Sequence, residues 1–532
     1  MTDAVQPSEY DQVPYPCGGQ EQTHPAHLAT MAALFGLTPP PLATCRVLEL
    51  GCGNGSNLIP MARALPQATF VGIDLSERQI RVGQSEVSAL QIQNLDLRHQ
   101  NILDFGKAEQ PFDYIIAHGV YSWVPDPVRK RLLEICSRLL SSDGIAYLSY
   151  NTYPGWHLRN PIRDMMRFHT QHIADPKRRV AQAMAMVNFV ASSIPSHLQV
   201  HRKNVETELT RLRELPADYL LHDDLAEINQ PFYFHEFVTD AAAHGLQFLA
   251  EADFRAMQDS RLSAESRAML RQLDDLHIME QYRDFILNAA FRQTLLCHHD
   301  QPIDRRLHPA LMEQFLASSP LRCKSATPNL TESVEEEFET NAITLSLSEP
   351  LVKAAVVIMK EHHPQALPFE VLFEAALVRS QTKQRALSDP RYLQDQRREL
   401  GELLLAGYGA GVLKLQLFQP TFCLVPGEYP QLDGFARLRI EANQEATTPL
   451  LDNIRFDEPF GRQLALLCNG RRSRSELVTE MTERVARGEL PKELPEGPIP
   501  DPETLRNMVA ERVTECLDRI ARYALFVPNE KH

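Results

Sequence analysis

The chain has 532 residues, a length that divides into roughly three or four domains of ordinary size. Hydrophobic residues at 43% and charged residues at 23% describe an ordinary folded protein, and no apolar stretch approaches the length of a membrane span, which excludes membrane insertion. A formal net charge of -15 disfavours phosphate-rich partners, so nucleic acid is not an expected substrate; nine cysteines, odd in number and without a C-x-x-C pair, exclude a disulfide framework and a zinc ribbon.

The N-terminal MTDAVQPSEYDQVPYPCGG is polar and acidic and lacks a basic flank with an apolar core, so no secretory signal is expected and the cytoplasm is the expected compartment. His24 to Leu37 reads as a helix with Pro25 in its first turn and Gly36 near its end, expected to pack over a bound ligand. The run from Val47 to Ser56 (VLELGCGNGS) then reads as a buried parallel strand breaking into a glycine-rich turn that opens a helix over Asn57 to Leu65. Gly51, Gly53 and Gly55 remove Cβ atoms where backbone must approach a ligand, and Cys52 is a small residue of the same turn. A second strand over Thr69 to Ile73 ends at Asp74, about twenty residues beyond the glycines, where a carboxylate can bond ribose hydroxyls.

The βαβ rhythm continues with a helix from Ser76 to about Leu90, strands near Leu95 to Arg98 and Asp113 to Ala117, a helix over Asp126 to Leu140 stopping at Asp143-Gly144, and a strand over Ile145 to Tyr150. That makes five strands of a doubly wound α/β sheet by about residue 150. From Pro161 to about Asp300 the pattern is mainly helical, and the acidic Glu332 to Glu339 lies in a polar stretch, Ser325 to Thr340, that reads as a linker or solvated face. Helices over Pro368 to Val378 and Arg391 to Ala406, then short strands over Val412 to Leu417 and Thr421 to Val425, suit a winged-helix-like module. A proline-rich loop from Leu490 to Pro502 precedes a last helix that Asp501 can cap. The expected domains are 1–160, an α/β domain with an N-terminal lid; 161–330, helical; 331–430, winged-helix-like; and 431–532, mainly helical.

The glycine spacing selects the ligand. The third glycine of the dinucleotide pattern falls at Ser56, and the sequence instead reads E-x-G-x-G-x-G with Glu49 leading. Glu49, Gly51, Gly53, Gly55 and Asp74 resemble the first two motifs of class I S-adenosylmethionine-dependent methyltransferases, over roughly the first third of the chain. The resemblance implies a Rossmann-like methyltransferase sheet with S-adenosyl-L-methionine as cofactor: Glu49 orients its methionine portion, Cys52 lies in the cofactor loop, and Asp74 binds ribose. In RHQNILDF the expected acid beside adenine is replaced by Asn101, whose amide can still hydrogen-bond a purine, with Asp104 slightly later.

The fourth strand ends FDYIIAHGVYSWVP, which brings His118, Gly119, Tyr121 and Trp123 to the cleft, His118 as both a cofactor neighbour and a candidate base. The fifth ends SYNTYPGWHLR, bringing Tyr150, Asn151, Tyr153, Trp156 and Arg159 to the same side. Both tryptophans of the chain fall in these loops, and aromatic faces stabilise ammonium groups as well as filling cores. His118, Tyr121, Trp123, Tyr153 and Trp156 are therefore the candidate catalytic residues. The Asn/Asp-Pro-Pro-aromatic motif of adenine and glutamine N-methyltransferases is absent. Histidine clusters at His169/His172, His298/His299 and His362/His363 complete no metal-binding spacing.

Tyr219 to Phe254 (YLLHDDLAEINQPFYFHEF…) resembles a methyltransferase regulatory domain. Together with YDQVPYP, HGVYSWVP and SYNTYPGW, it resembles bacterial protein lysine methyltransferases with a multidomain C-terminal half, which implies a protein substrate with an accessible lysine and a homodimer as assembly. Tyr10 and Tyr15 are the lid candidates. Two alternatives stay open: a small-molecule N- or O-methyltransferase, and a non-catalytic S-adenosylmethionine-binding regulatory protein.

Overall fold

The computed structural model describes residue 13, residues 15–490 and residues 501–528, so the lid candidate Tyr10 and the interior of the Leu490 to Pro502 loop lie outside the described residues. Strands β1 (Arg46–Leu50), β2 (Thr69–Asp74), β3 (Leu95–His99), β4 (Phe112–Ala117) and β5 (Leu140–Asn151) run parallel. Two more strands follow, β6 (Leu246–Glu251) and β7 (Phe291–His298), giving a seven-stranded sheet ordered β3-β2-β1-β4-β5-β7-β6 with β7 antiparallel to both neighbours. Strand order reverses between β1 and β4, so the glycine turn leaving β1 sits at the switch point where such sheets open a crevice.

β6 and β7 correct the expected five strands, and they come from the stretch expected to be mainly helical. Arg292 within β7 reads as a surface residue, yet it is 5% exposed because Glu251 Oε1 accepts its Nη1 at 2.7 Å and Asp284 Oδ2 its Nε at 2.9 Å. Charge neutralisation hides a central strand behind a polar pattern. The sheet therefore draws on residues well beyond 160. β5 also starts earlier than expected: Leu140 pairs with Phe112, and a register shift before Tyr114 absorbs the Asp143-Gly144 break inside the strand.

Helix α1 (Pro25–Leu34) is capped by His24, whose Nδ1 accepts from Ala26 N at 3.0 Å, and nine of its ten residues are buried. It is sandwiched between β5 and the third module, where its Thr30 Oγ1 accepts from Leu417 N at 3.0 Å. Helices α2 (Leu58–Ala64), α3 (Glu77–Ala89) and α4 (Asp126–Leu139) complete the doubly wound layers; Ser76 caps α3. Then α5 (Gly155–Thr170), α6 (Pro176–Ser193) and α7 (Gln199–Glu214) share a separate core of Ile162, Val187, Leu209 and Leu212. Helices α8 (Phe234–Ala243) and α9 (Leu276–Leu287) return the chain to β6 and β7.

The third module holds β8 (Leu316–Ser318), β9 (Arg322–Cys323), β10 (Glu336–Glu339), β11 (Thr344–Leu347), α10 (Pro350–His362), β12 (Leu367–Pro368), α11 (Phe369–Arg379), α12 (Pro390–Ala410) and β13 (Lys414–Gln416). Here the expected acidic linker is a strand. β10 pairs with β9 and β11, buries Phe338 completely, and meets Arg322 and Lys324 with Glu339 and Glu337. The strand expected over Thr421 to Val425 does not form: Pro420 and Pro426 flank it, and Cys423 N donates to Phe526 O at 2.8 Å.

The last module comprises α13 (Gly434–Glu441), β14 (Ala446–Thr447), β15 (Asn453–Ile454), α14 (Pro459–Leu467), α15 (Arg474–Ala486) and α16 (Pro502–Arg522), the last capped by Asp501 as expected. It has its own core and docks on the Rossmann-like domain through Arg63 Nη2 to Asp433 Oδ2 at 2.7 Å. Among the described residues no helix is long and apolar enough to cross a membrane.

Candidate active site

The glycine turn is held by backbone bonds: Gly51 N and Cys52 N both donate to Ile73 O, at 2.8 and 3.0 Å. Gly51, Gly53 and Gly55 have φ of +77°, +56° and +75°, a region that strongly favours glycine. A Cβ at Gly55 would meet Leu97 Cδ1 at 2.8 Å and one at Gly51 would meet Val120 Cγ2 at 2.6 Å, so these two glycines serve close packing inside the fold. A Cβ at Gly53 would stand 2.5 Å from Cys17 Sγ, in the segment that crosses the turn. Beyond the end of β4, a Cβ at Gly119 would meet nothing within 4 Å. Open space therefore lies at the switch point.

Two carboxylates frame that space in different ways. Asp74 is committed to backbone: its Oδ2 accepts from Gly53 N at 2.9 Å and its Oδ1 from Ser76 N at 2.8 Å, tying the turn to the start of α3. Glu49 is 4% exposed; its Oε1 accepts from Asn57 Nδ2 at 2.9 Å while its Oε2 has no partner. Burial pushes the Glu49 carboxyl up to about 7, against the lowering effect of the Asn57 hydrogen bond. A buried acceptor without a donor is costly in a finished fold and is relieved by a cationic ligand group. The ammonium of the methionine portion of S-adenosylmethionine fits that atom.

Cys52 is 6% exposed, and a Cβ at Gly72 on β2 would touch its Sγ at 2.8 Å, so the thiol points into the sheet and only its backbone faces the turn. Asn101 caps a short 3-10 turn, its Oδ1 accepting from Leu103 N at 3.0 Å. Leu75 and Leu103, 60% and 44% exposed, follow Asp74 and Asn101 and present an apolar face suited to a planar purine. Sequence reasoning passed over them, although an apolar residue directly after the β2 carboxylate was a readable signal. It also missed Asn57, which donates to both Glu49 and Thr23 Oγ1 and accepts from Gln20 N at 2.9 Å.

On the acceptor side, the five candidates fall into separate groups. His118 Nδ1 lies 2.9 Å from Tyr147 Oη and 3.3 Å from Ser149 Oγ, and its ring meets the half-exposed Phe291 edge-on at 6.3 Å. Burial holds His118 down at about 4, so the imidazole is neutral at physiological pH. Trp123 and Trp156 pack edge-to-face at 6.4 Å, with Arg159 5.5 Å over the Trp156 ring and the buried Trp156 Nε1 unpartnered. Tyr153 stacks on His157 at 4.0 Å and leans on Tyr233. Tyr121 differs from the expectation: it is 1% exposed and wedged among Tyr150, Phe232 and Phe237, which makes it a core residue beneath the cleft. Val120, Tyr121 and Ser122 are all buried in the turn after β4, so Tyr121 enters the core together with its neighbours.

Comparisons with known proteins bear on the domains and the fold. A methyltransferase domain model matches residues 42–210, a predicted methyltransferase regulatory domain matches 216–298, and a PKMT C-terminal winged helix domain matches 428–525. The last match falls on the segment expected to be mainly helical, beyond the module for which a winged arrangement was expected. The chain is 33% identical to the uncharacterized protein RP789 of Rickettsia prowazekii over 97% of its own length and 93% of the relative's. It is 39% identical to RP028 of the same organism over 44% of this chain and 93% of that one. Its fold matches the structure of PKMT2 from Rickettsia typhi in complex with AdoHcy with a TM-score of 0.86 at 29% identity, covering 97% of this chain and 100% of that one.

Proposed function

The chain belongs to the S-adenosylmethionine-dependent methyltransferase family that includes RP789 and PKMT2 of the two Rickettsia species, and from that membership we propose that it methylates lysine side chains of a protein substrate. The observation that carries the proposal is the match to PKMT2 along nearly the whole chain, C-terminal winged helix included.

S-adenosylmethionine supplies a methyl group on a sulfonium, which leaves to an attacking amine in an in-line displacement. Everything else is asked of the chain's own residues. Glu49 takes the ammonium of the methionine portion on Oε2, Asp74 faces the ribose beside the backbone it holds, and Asn101 with Leu75 and Leu103 borders the purine. Trp123 and Trp156 form an aromatic wall against which a lysine stem and its ammonium pack. A lysine with an ordinary pKa near ~10.4 must shed a proton before attack, and an apolar, water-poor wall favours the neutral amine. Neutral His118, with the Tyr147 hydroxyl at its Nδ1, adds no positive charge beside the incoming cation; held at about 4 it is too weak a base to keep the lysine proton, which passes to solvent.

The same reading gives a protein partner, no nucleic-acid substrate given the net charge of -15, a cytoplasmic location and a homodimer as the assembly. The test is transfer of an isotopically labelled methyl group into fractionated bacterial extract, with the Asp74→Ala protein as control. Label in a protein band that maps to methyl-lysine supports the proposal. Label confined to small molecules refutes it, and cofactor binding with no transfer to any fraction returns the chain to a sensing role.

A further inference from the structure

The segment from Tyr15 to Gln20 crosses the glycine turn and is gripped from three sides. Cys17 Sγ donates to Gln79 Oε1 at 3.2 Å, and Gln20 N donates to Asn57 Oδ1 at 2.9 Å. Tyr15 meets the rings of Tyr219 and His222 at 5.4 and 5.5 Å, in the regulatory segment. The third grip comes from the C-terminal module. Arg439 Nη2 donates to Cys17 O at 3.0 Å, and Asn453 embraces Gly19, accepting from its N at 3.0 Å and donating to its O at 2.9 Å.

Gly18 and Gly19 look built for that embrace. A Cβ at Gly18 would stand 2.8 Å from Asn453 Oδ1, and one at Gly19 would stand 2.6 Å from Thr447 Cγ2 and 2.8 Å from Leu451 O. Neither glycine has a positive φ, so what they supply is close approach to the β14 and β15 hairpin. A side-chain amide that satisfies both backbone groups of one residue acts as a strand partner would, and it fixes the segment in position as well as in contact.

We propose that Asn453 and Arg439, hundreds of residues from the glycine turn, are positioning residues of the cofactor site, holding the Cys17–Gln20 strap over the turn and setting the rate at which cofactor leaves. The path is continuous. Asn453 fixes Gly19, the next residue Gln20 occupies Asn57 Oδ1, and Asn57 Nδ2 orients Glu49, whose Oε2 awaits the ammonium. Cys17 meanwhile blocks the outer side of Gly53. Cofactor cannot pass that side of the turn while the strap is seated, so exchange follows strap release. The proposal rests on the cofactor site at Glu49 and Asp74, and its test separates the two.

The test uses full-length protein with S-adenosylhomocysteine as the probe, comparing Asn453→Ala, Gly19→Ala and the double variant with the parent. Two readouts are taken: the dissociation rate by stopped flow, and backbone hydrogen exchange over residues 15–23 in the ligand-free protein. Each single variant is expected to lose strap protection and to release ligand about tenfold faster, the equivalent of about 1.4 kcal/mol. The double variant is expected to be no faster than the singles, because both changes open one contact. Glu49→Ala is the control for the site itself. If Glu49→Ala weakens binding while Asn453→Ala and Gly19→Ala leave the release rate unchanged, the strap role is overturned; if Glu49→Ala leaves binding intact, the cofactor site is what fails. Should Asn453→Ala melt early, Gly19→Ala decides alone, since it leaves the C-terminal module's own contacts intact.

Discussion

Glu49→Gln is expected to make the ligand-free protein more stable and the cofactor complex weaker. In the folded chain burial raises the carboxyl from an ordinary value of 4.5 to about 7. A folded-state value above the unfolded one means that Glu49 favours the fold when protonated. Its contribution is fully present below pH 4.5 and is lost as pH rises through about 7. The gap corresponds to about 3 kcal/mol at pH 8, an upper figure that glutamine removes while keeping the Asn57 hydrogen bond. Cofactor binding moves the other way. A charge-assisted hydrogen bond is worth about 1.5 to 3 kcal/mol, so glutamine weakens affinity about 10- to 100-fold at neutral pH. With a value about 7, about one parent protein in eleven carries the carboxylate at pH 6 and about one in two at pH 7, so parent affinity rises about fivefold across that unit. The ligand α-amino group, ordinarily near ~7.8, stays largely protonated over the window. Calorimetric titration from pH 5.5 to 7.5, with melting of the ligand-free proteins at pH 8, reads both signs. A variant that melts earlier than the parent, or that keeps the fivefold rise, refutes the reasoning.

Asp74→Ala removes the acceptor for Gly53 N and Ser76 N, so it is expected to cost the fold about 2 kcal/mol as well as cofactor affinity; a melt identical to the parent contradicts that dual role. Trp156→Phe is expected to slow methyl transfer while changing cofactor affinity by less than about twofold, and equal losses in both would mark the ring as structural. His118 is held at about 4 from an ordinary 6.5, so the stability it contributes is present above pH 6.5 and is lost as pH falls towards 4; His118→Phe is expected to flatten that acid limb, measured by melting between pH 4 and 7.

The first half of the sheet was legible because β1, β2 and β4 are largely apolar runs and β3 alternates buried and exposed positions, and the E-x-G-x-G-x-G spacing named the ligand before any geometry. β6 and β7 were not, since Arg292 looks exposed until Glu251, Glu280 and Asp284, scattered over two other elements, surround it. β10 failed for a related reason: it is the central strand of its small sheet, but only Phe338 is fully buried and the glutamates around it read as a solvated run. At the site, the motifs pointed to Glu49, Asp74 and the two tryptophans, but they do not say that Tyr121 turns inward, that Trp156 is only 4% exposed or that Asp74 already holds two backbone amides. Asn57 carries meaning only through Gln20 and Thr23, more than thirty residues before it, and the Cys17-Gly18-Gly19 strap through partners hundreds of residues away, and short-range pattern reading has no access to such pairs.

Charge at the centre of the site has its own logic. The cofactor brings a sulfonium and an ammonium, and the proposed acceptor arrives as a second ammonium, so three positive charges converge on one crevice. Glu49 answers one of them, with an acceptor left open for it. The chain's surplus of acidic groups draws cations towards it at long range. At short range, a protonated lysine beside a sulfonium is repelled and has no lone pair to offer, so attraction must give way to deprotonation within the last few ångströms. In the proposed reading, the aromatic wall and a neutral imidazole favour that change without a strong catalytic base. Raising the pH should then increase transfer through the population of neutral lysine, continuing above the pH at which Glu49 is fully ionised. Methyl transfer to a lysine peptide at saturating cofactor, measured from pH 7 to 9.5, is expected to keep climbing; a plateau near pH 7 would mean that an ionisation in the cofactor complex, and not the acceptor's proton, controls the step.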